Sequence, residues 1–446
     1  MRALACSVIV SLAACAAPSE GREAELVAVI TRADAVVLRT RPGLTAGKYA
    51  RMAATPFAFL RGAMAIERHD WELGVTSASA FDASALVAGV ADPHPENFGL
   101  LIARDGTAAL EPNDFDASDR VPWLFEVRRL ISGLAVAAAI ANSTADVRSI
   151  SHASAQAYAE TIASADSPLR LTSAGDSTVL ADLFRRSARD LNARAELEQL
   201  TELRDGSRRF KRGEADGLAG LPPVAMAALP ALVDRAGQGT VIDAVRVFGS
   251  GIASFPRVRV DVLLTGPTDS PHDDVVVEVK ELTESPLAGW YGPALTARDA
   301  ASRVEAGAHQ VWARPDADAI FFGAQWLGLP VVVRTESEAL KGIRVDRWVG
   351  DRGSQPELER LGRVLGRLLA RMHHGSAPAI AAAISRDPAA FADEQADFAV
   401  TRGAQLAADH TLFALALQQR GPTLGTPATP QTQPGTDVKA LFGDAP

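Results

Sequence analysis

Three oxygen-bearing side chains in the first third of the chain have the types that phosphate and metal chemistry requires. Asp92 and Asn97 are five residues apart in a segment of turn formers, and Asp114 follows beyond a short hairpin. Phosphoryl transfer needs one carboxylate to orient or deprotonate the acceptor hydroxyl, and Mg²⁺ prefers hard oxygen ligands. The spacing allows all three side chains to lie close together at the opening of one site.

The same residue types also fit two other interpretations. Asp, Asn, Pro and His are common in turns, so the segment can be a purely structural loop. Alternatively, a metal-dependent hydrolase would use four side chains as ligands, namely Asp92, His94, Asp114 and Asp116. That ligand set would also suit Mn²⁺ or Zn²⁺.

A second group of candidate residues lies much later in the chain. Gly249, Ser250 and Gly251 stand between two predicted strands, and glycine lets phosphate groups approach the backbone closely. Lys280 ends a predicted strand, and Glu305 on the following predicted helix is a fitting partner for its ammonium group. The order of these features, more than any one of them, indicates a phosphate-binding sheet.

The elements that must position these residues follow from apolar periodicity and turn signals. In chain order, we predict strands at 85–90, 98–103 and 107–110, a helix at 123–141, mostly helical structure at 150–240, strands within 241–282, a helix at 297–312, strands at 318–323 and 330–334, and an amphipathic helix at 357–374.

The N-terminal segment is typical of an export signal. The apolar run Ala3–Ala14 is too short to span a bilayer, and it ends at Cys15 in a pattern that resembles a bacterial lipobox. We therefore expect residues 1–15 to be a lipoprotein signal peptide. Cys15 would then carry a lipid anchor on the periplasmic face of a membrane. If the start site is misassigned, we expect a cytoplasmic protein instead.

Composition narrows the classes of partner. The chain of 446 residues has a formal net charge of −9, which argues against a nucleic-acid partner or direct binding to an anionic membrane. We expect membrane contact only through the lipid anchor and a small molecule as the substrate. Both cysteines, Cys6 and Cys15, lie in the signal segment. The mature chain would therefore have no disulfide and no cysteine-bound metal.

Several segments carry a resemblance to a known family. Pro56–Gly62, Asp92–Gly99, Asn113–Asp116 and Val279–Glu281 resemble the bacterial family called domain of unknown function 2252, with a match over roughly residues 48–375. The pattern Asp-x-x-x-x-Asn, followed by a hairpin and an Asp-aromatic pair, also resembles the catalytic loop of aminoglycoside phosphotransferases and protein kinases.

The kinase resemblance implies roles for individual residues. Asp92 would be the catalytic base, and His94 matches the small-molecule kinase version of the loop. Asn97 and Asp114 would bind Mg²⁺, with Asp116 as an additional carboxylate. The segment 277–280 resembles the Val-x-x-Lys strand of kinases, which would place Lys280 on the phosphates of ATP or another donor.

The resemblance also implies an α+β, protein-kinase-like fold with two lobes. The catalytic loop precedes the predicted nucleotide lobe, which is the reverse of the kinase order, so we expect a circular permutation. The predicted organisation is a signal peptide at 1–15, a helical lobe at 16–240 that contains the loop and hairpin at 85–116, an antiparallel sheet lobe at 241–350, C-terminal helices at 351–415 and a disordered tail at 418–446.

Two positions depart from the family pattern. Ala91 stands where the family usually has Gly before the loop aspartate, and Glu126 stands where it usually has Asp. In kinase relatives the acid at the second position braces the catalytic loop. The longer Glu126 side chain therefore puts the positioning of this loop in question.

Two functional hypotheses follow from these observations. The first is a Mg²⁺-dependent phosphotransferase that acts on a small molecule. The second is a lipid-anchored binding protein with a kinase-like fold and no turnover. Nucleoside triphosphates are scarce in the periplasm, so the predicted export favours either the second hypothesis or a donor other than ATP.

Overall fold

The architecture was obtained as a computed structural model, which describes residues 20–164, 170–212, 218–237, 239–248, 251–292 and 299–428. The protein is mixed α+β, with small antiparallel sheets among many helices. Three predicted features lie outside the described residues: the signal peptide with Cys15, Gly249 and Ser250. No helix within the described ranges is long and apolar enough to cross a membrane.

The helices lie mostly before residue 200 and after residue 355. In chain order they are α1 (Glu20–Ala33), α2 (Ala35–Thr40), α3 (Pro42–Met52), α4 (Pro56–Gly62), α5 (Met64–Glu72), α6 (Trp123–Ala141), α7 (Val147–Ala163), α8 (Thr178–Ala193), α9 (Ala195–Leu200), α10 (Pro223–Val233), α11 (Ala300–Val311), α12 (Gln355–Met372), α13 (Ala377–Ile384) and α14 (Pro388–Arg420).

The strands form three hairpin-sized sheets and one larger sheet. The small pairs are β1 (Leu86–Gly89) with β4 (Asp119–Pro122), β2 (Phe98–Ile102) with β3 (Ala108–Pro112), and β5 (Thr201–Arg204) with β6 (Ser207–Phe210). The larger sheet has the order β11-β12-β10-β9-β8-β7 and contains β7 (Leu218–Gly220), β8 (Val241–Val247), β9 (Arg259–Leu264), β10 (Val275–Glu281), β11 (Phe321–Trp326) and β12 (Leu329–Thr335).

The helical core is built around α6, which is buried along most of its length. The apolar stripe of α12, including Leu361, Leu365 and Leu368, is fully buried in the same core. Burial of a Leu side chain contributes about 2 kcal/mol, so this stripe supplies much of the stabilisation that holds α12 beside α6 and α7.

Helices α7 and α12 approach each other closely through small residues. A Cβ atom added at Gly366 would lie 2.1 Å from the backbone oxygen of Ser154, and one at Gly362 would lie 3.0 Å from the oxygen of Ile150. The spacing between these helices therefore depends on the absence of a side chain at both positions.

The six-stranded sheet has two different faces because side chains alternate along each strand. One face carries Val260, Val262, Val277 and Val279 and packs against α10 in a second apolar core. Around Lys280 the opposite face carries charged residues and is turned toward the β2–β3 hairpin. This second face forms one wall of the site described below.

Two regions depart most clearly from the prediction. The basic stretch before residue 212, expected to be helical, is the β5–β6 hairpin, and β7 belongs to the large sheet. The turn residues Asp205 and Gly206 have φ angles of 50° and 79°, which is the geometry of a tight hairpin turn. At the other end, α14 continues to Arg420 and Leu424 is buried. A disordered tail therefore does not begin at residue 418, and residues 429–446 lie outside the described ranges.

The close approach of α7 and α12 predicts opposite effects for two glycine substitutions. Gly366→Ala should lower the free energy of unfolding by about 1–3 kcal/mol because the methyl group meets the backbone of α7. Gly403→Ala in α14 is the control, since the nearest atom to its Cβ position is 3.8 Å away; it should raise stability by about 0.5–1 kcal/mol. Urea unfolding gives the free energy of unfolding of the wild type and of both variants. An equal change in this free energy for the two variants would contradict the packing argument.

Candidate active site

A cavity of about 630 Å³ lies between the charged face of the large sheet, the loop after β1 and the first helices. It brings together residues that are distant in sequence. Seven of the residues predicted to belong to the site line it: Asp92, His94, Asn97, Asp114, Asp116, Gly251 and Lys280. Glu305 does not.

The loop from Asp92 to Asn97 is held in shape by its own hydrogen bonds. The Asn97 Nδ2 amide donates to the backbone oxygen of Asp92 at 2.8 Å. The Asn113 backbone N–H donates to the backbone oxygen of Asn97 at 3.1 Å. The first bond fixes the orientation of the Asn97 side chain. The second ties the loop to the end of the β2–β3 hairpin, immediately before Asp114.

The Asp92 carboxylate is positioned by a buried arginine of α6. Arg129 Nε donates to Asp92 Oδ1 at 2.7 Å, and Arg129 Nη2 donates to the backbone oxygen of Leu60 at 2.7 Å. Burial raises the pKa of Asp92, and the Arg129 charge opposes this rise. The result is a carboxylate in a fixed orientation on the cavity wall.

His94 is buried behind the loop. Its Nε2 atom lies 3.8 Å from Asp92 Oδ2, and its ring meets the edge of Phe57 with centroids 5.6 Å apart. Burial lowers the pKa of His94 well below its ordinary value, so the imidazole is neutral at pH 7. At 3.8 Å the contact with Asp92 is too long for a hydrogen bond, and the neutral ring carries no charge for phosphate binding.

Lys280 forms its ion pair with the hairpin end instead of the following helix. Its Nζ atom lies 2.8 Å from Asp116 Oδ2 and 3.6 Å from Asp114 Oδ1, and Arg257 Nη1 lies 2.5 Å from Asp116 Oδ2. Burial alone would raise the pKa of Asp116. The charges of Lys280 and Arg257 outweigh this effect and hold that pKa below its ordinary range. Asp116 therefore joins the lysine to the hairpin.

The prediction that Glu305 pairs with Lys280 is wrong. Glu305 contacts Arg235 at 3.0 Å and accepts a hydrogen bond from the Gly323 backbone at 3.0 Å. Two positions earlier on α11, Arg303 donates to the backbone oxygens of Asp116 and Ser118. Residues two apart lie on opposite sides of a helix, so Arg303 takes the side that faces the site and Glu305 faces away.

The oxygen ligands present fit Mg²⁺ at two of the three predicted positions. Asn97 and Asp114, whose side chains carry hard oxygen donors, both line the cavity, and the Asp114 side chain is 36% exposed. Asp116 is already bound by two cations. The same contacts weaken the hydrolase interpretation, because His94 is buried, Asp92 is held by Arg129, and Asp116 is occupied.

A buried carboxylate braces the loop from below. Glu126 Oε1 accepts a hydrogen bond from the Ala91 backbone at 2.6 Å, and Oε2 lies 2.6 Å from His373 Nε2. The Tyr158 hydroxyl lies 2.8 Å from His373 Nδ1, so the chain of contacts reaches α7. A Cβ atom at Gly89 would lie 2.3 Å from Glu126 Oε2, so glycine makes room for this longer acid.

The backbone at position 91 has a conformation that suits the Gly implied there by the resemblance. Ala91 has a φ angle of 61°, in the left-handed region that costs a non-glycine residue about 1–2 kcal/mol. The departure at this position is therefore tolerated at a local cost, and the Glu126 bond holds the strained backbone in place.

Sequence reasoning missed three residues that shape the site: Arg129, Arg257 and His373. For Arg129 a signal was present, because the otherwise apolar stretch Trp123–Ala138 carries Glu126, Arg128 and Arg129. Charges within a buried helix need buried partners. Glu126 and Arg129 find theirs in the loop, whereas Arg128 contacts the backbone oxygen of Thr76 and the Glu394 carboxylate. For Arg257 and His373 the sequence offers no comparable signal.

A cluster of three carboxylates lies behind the cavity wall. Asp261, Glu278 and Glu336 bring oxygen atoms within 4.8 Å of one another. Burial alone would raise the pKa of Glu278. The charges of Arg259 and Arg334 outweigh this effect and lower that pKa to about 2. Burial and the neighbouring acids raise the pKa of Asp261 well above its ordinary value.

This carboxylate cluster predicts a pH-dependent stability. Burial and the Glu278 charge raise the pKa of Glu336 from its ordinary 4.5 to about 7. The folded protein therefore holds the proton more tightly than the unfolded chain, and stability falls as pH rises from about 4.5 to about 7.

Glu336→Gln should remove that loss. The melting temperature of this variant should match the wild type at pH 4.5 and exceed it by about 2 °C or more at pH 8. Glu160→Gln on the exposed side of α7 is the control and should follow the wild type. Equal melting temperatures of wild type and Glu336→Gln at pH 8 would contradict the argument.

Comparison with known proteins identifies the family. The chain matches the family described as "Uncharacterized protein conserved in bacteria (DUF2252)" over residues 39–416, a range that includes the loop, the hairpin, the large sheet and α12. No curated protein and no solved structure matches the chain. Because the match covers most of its length, the protein belongs to the DUF2252 family of bacterial proteins.

Proposed function

We propose that this protein is a Mg²⁺-dependent phosphotransferase of the kinase type that phosphorylates a hydroxyl group of a small molecule. The observation that carries the proposal is the convergence of Asp92, Asn97, Asp114 and Lys280 on one cavity. One loop and one hairpin supply the carboxylates and the amide, and a separate sheet supplies the lysine. These are the groups that kinase chemistry uses.

The position of α12 supports the permuted, two-lobed arrangement. Shortly after α12 ends at Met372, Ser376 Oγ donates to the backbone oxygen of Leu86 in β1 at 2.8 Å, although these residues are 290 positions apart. A chain joined at this place would run from α12 into β1 and on to Asp92. That is the order in which small-molecule kinases place a helix before the catalytic loop.

Each residue has a definite task in this proposal. Asp92 orients the acceptor hydroxyl and takes its proton. Lys280 binds the transferred phosphate through its ammonium group, and Asp116 fixes the direction of that side chain. Asn97 and Asp114 would hold Mg²⁺, which supplies neutralisation of charge between phosphate oxygens. Glu126 positions the loop through Ala91.

One observation favours a second candidate function, a ligand-binding protein without turnover. Arg129 Nε donates to Asp92 Oδ1 at 2.7 Å, so one oxygen of this carboxylate is already engaged and is not free to take a proton from an acceptor hydroxyl. In that case the cavity would bind a phosphorylated ligand and release it unchanged. The predicted lipid anchor at Cys15 is compatible with either function.

Binding of phosphate donors is the first measurement. Thermal shift of the full chain should show stabilisation by at least one donor from ATP, GTP, pyrophosphate and tripolyphosphate, and only with Mg²⁺ present. Asp114→Asn should remove the Mg²⁺ dependence, and Lys280→Met should weaken binding about tenfold or more. Glu305→Gln is the matched control, because this acid lies outside the cavity.

Two outcomes would contradict that prediction. If no donor stabilises the wild type with Mg²⁺, the phosphotransferase proposal is wrong. If Glu305→Gln weakens binding as much as Lys280→Met does, the assignment of the lysine site is wrong.

Turnover separates the two candidate functions. Asp92→Asn should keep donor binding within about threefold while phosphoryl transfer to a panel of small alcohols falls about 10²–10⁴-fold, the range typical of losing a general base. Asp269→Asn in an exposed loop is the control. A wild type that binds the donor but transfers nothing to any acceptor would favour the binding protein. Undiminished transfer by Asp92→Asn would remove this residue from the base role.

A further inference from the structure

We propose that Glu67 is a positioning residue for Asp92. It holds the Arg129 guanidinium so that Arg129 engages only one oxygen of the Asp92 carboxylate and leaves the other for the acceptor hydroxyl. This inference rests on the proposed phosphotransferase function and adds to it a residue that does not line the cavity. It follows from a group of buried charges on α5 and α14 that no step of the proposed reaction uses.

Arg129 divides its three nitrogen atoms among three partners. Nε donates to Asp92 Oδ1 at 2.7 Å, and Nη2 donates to the Leu60 backbone oxygen at 2.7 Å. Nη1 lies 3.4 Å from Glu67 Oε2. Arg129 and Asp92 therefore do not form the two-bond pair that arginine and carboxylate commonly form.

The second oxygen of Asp92 has no such partner. Among the described residues, no side chain donates a hydrogen bond to Asp92 Oδ2, and His94 Nε2 is 3.8 Å away from it. Asp92 lines the cavity, and its side chain keeps 14% exposure. Oδ2 is therefore the oxygen that remains for an acceptor hydroxyl.

Glu67 is itself fixed by a second buried arginine. Arg402 of α14 donates from Nη2 to Glu67 Oε2 at 2.9 Å and from Nη1 to Asp70 Oδ2 at 2.7 Å. Glu67 and Asp70 are three residues apart in α5, so they lie on the same face of this helix. Arg22 of α1 donates to Asp70 Oδ1 at 2.8 Å. Three helices, α1, α5 and α14, therefore set the position of Glu67.

Burial makes these contacts strong constraints. Glu67, Asp70, Arg129 and Arg402 are each 3% exposed or less. Among the described residues, Glu67 is the one acid other than Asp92 with which Arg129 forms an ion pair. A buried charge that loses a partner cannot replace it with water. Without the Glu67 charge, we expect Arg129 to turn onto Asp92 and engage both of its oxygens.

The alternative is a purely structural role for Glu67. If Glu67 only neutralises Arg402, a change at Glu67 lowers the free energy of unfolding and leaves the hydrogen bond between Arg129 and Asp92 as it is. If Glu67 positions Arg129, that hydrogen bond changes in the folded protein. The two roles therefore differ in a property of Arg129 that can be measured without any ligand.

The NMR signal of the Arg129 Nε–H group reports its hydrogen bond to Asp92. This signal, assigned by its loss in Arg129→Lys, should shift in Glu67→Gln of the full chain. Glu72→Gln is the matched control and should leave the signal in place, because Glu72 lies on the same helix and pairs with Arg68 at the surface at 2.9 Å. An unshifted signal in folded Glu67→Gln, or an equal shift in both variants, would overturn the proposal.

A second variant keeps the test decisive if Glu67→Gln does not fold. Glu67→Asp keeps the negative charge between the two arginines and shortens the side chain by one methylene group. The Arg129 signal should therefore shift in this variant in the same direction as in Glu67→Gln and by less. An unshifted signal in Glu67→Asp, where Glu67→Gln does not fold, would overturn the proposal.

Turnover supplies the second readout. With the donor and alcohol that the wild type uses, Glu67→Gln should lower kcat about tenfold and keep the KM of the donor within about threefold, because the lysine and the Mg²⁺ ligands are unchanged. The loss should not add to that of Asp92→Asn, because the double variant has already lost the carboxylate that Glu67 positions. Losses that multiply in the double variant would overturn the proposal.

The failures of the two proposals remain distinguishable. If the wild type transfers no phosphate but the Arg129 signal shifts in Glu67→Gln and not in Glu72→Gln, the phosphotransferase proposal is wrong and the positioning of Asp92 by Glu67 stands. If the wild type transfers phosphate and the signal does not shift, the phosphotransferase proposal stands and the role of Glu67 is wrong.

Discussion

The buried carboxylate of Glu126 is the interaction on which the arrangement of the site depends. It is fully buried, and it contacts the Ala91 backbone and the His373 ring, both at 2.6 Å. A buried carboxylate without partners costs several kcal/mol, so these contacts must form together. They join the loop of Asp92 to α6 and to the end of α12. The loop geometry is therefore a property of the helical core and not of the loop sequence alone.

A second set of ion pairs holds the large sheet against the helical part. Arg41, between α2 and α3, binds Glu281 at 2.6 Å and the Pro256 backbone oxygen at 2.8 Å, and Arg51 Nη1 donates to the Gly251 oxygen at 2.7 Å. With the ion pair between Lys280 and Asp116, these contacts fix the distance between the charged face of the large sheet and the carboxylates of the hairpin. The width of the cavity follows from them.

Local sequence signals predicted much of the site because its parts are local. A few neighbouring residues are enough to predict each of three elements: the turn after β1, the Asp-Gly hairpin turn and the helix that begins at Trp123. The side of α11 that faces the site was not predictable, because Arg303 and Glu305 are both charged and only tertiary packing chooses between them. The β5–β6 hairpin was missed although Asp205-Gly206 is a strong turn signal, since the surrounding arginines suggested a solvated helix.

The partners of Glu126 lie on both sides of it in the chain, and His373 is 247 residues later. During synthesis at 5–20 residues per second, roughly 10–50 s separate the appearance of the two residues. Until α12 emerges, the Glu126 carboxylate has only its Ala91 partner, and its second oxygen lacks the His373 ring. The half of the molecule that carries the Asp92 loop is thus made first but completed last, so a ribosome-bound or truncated chain that stops before residue 373 lacks one of the two partners of Glu126.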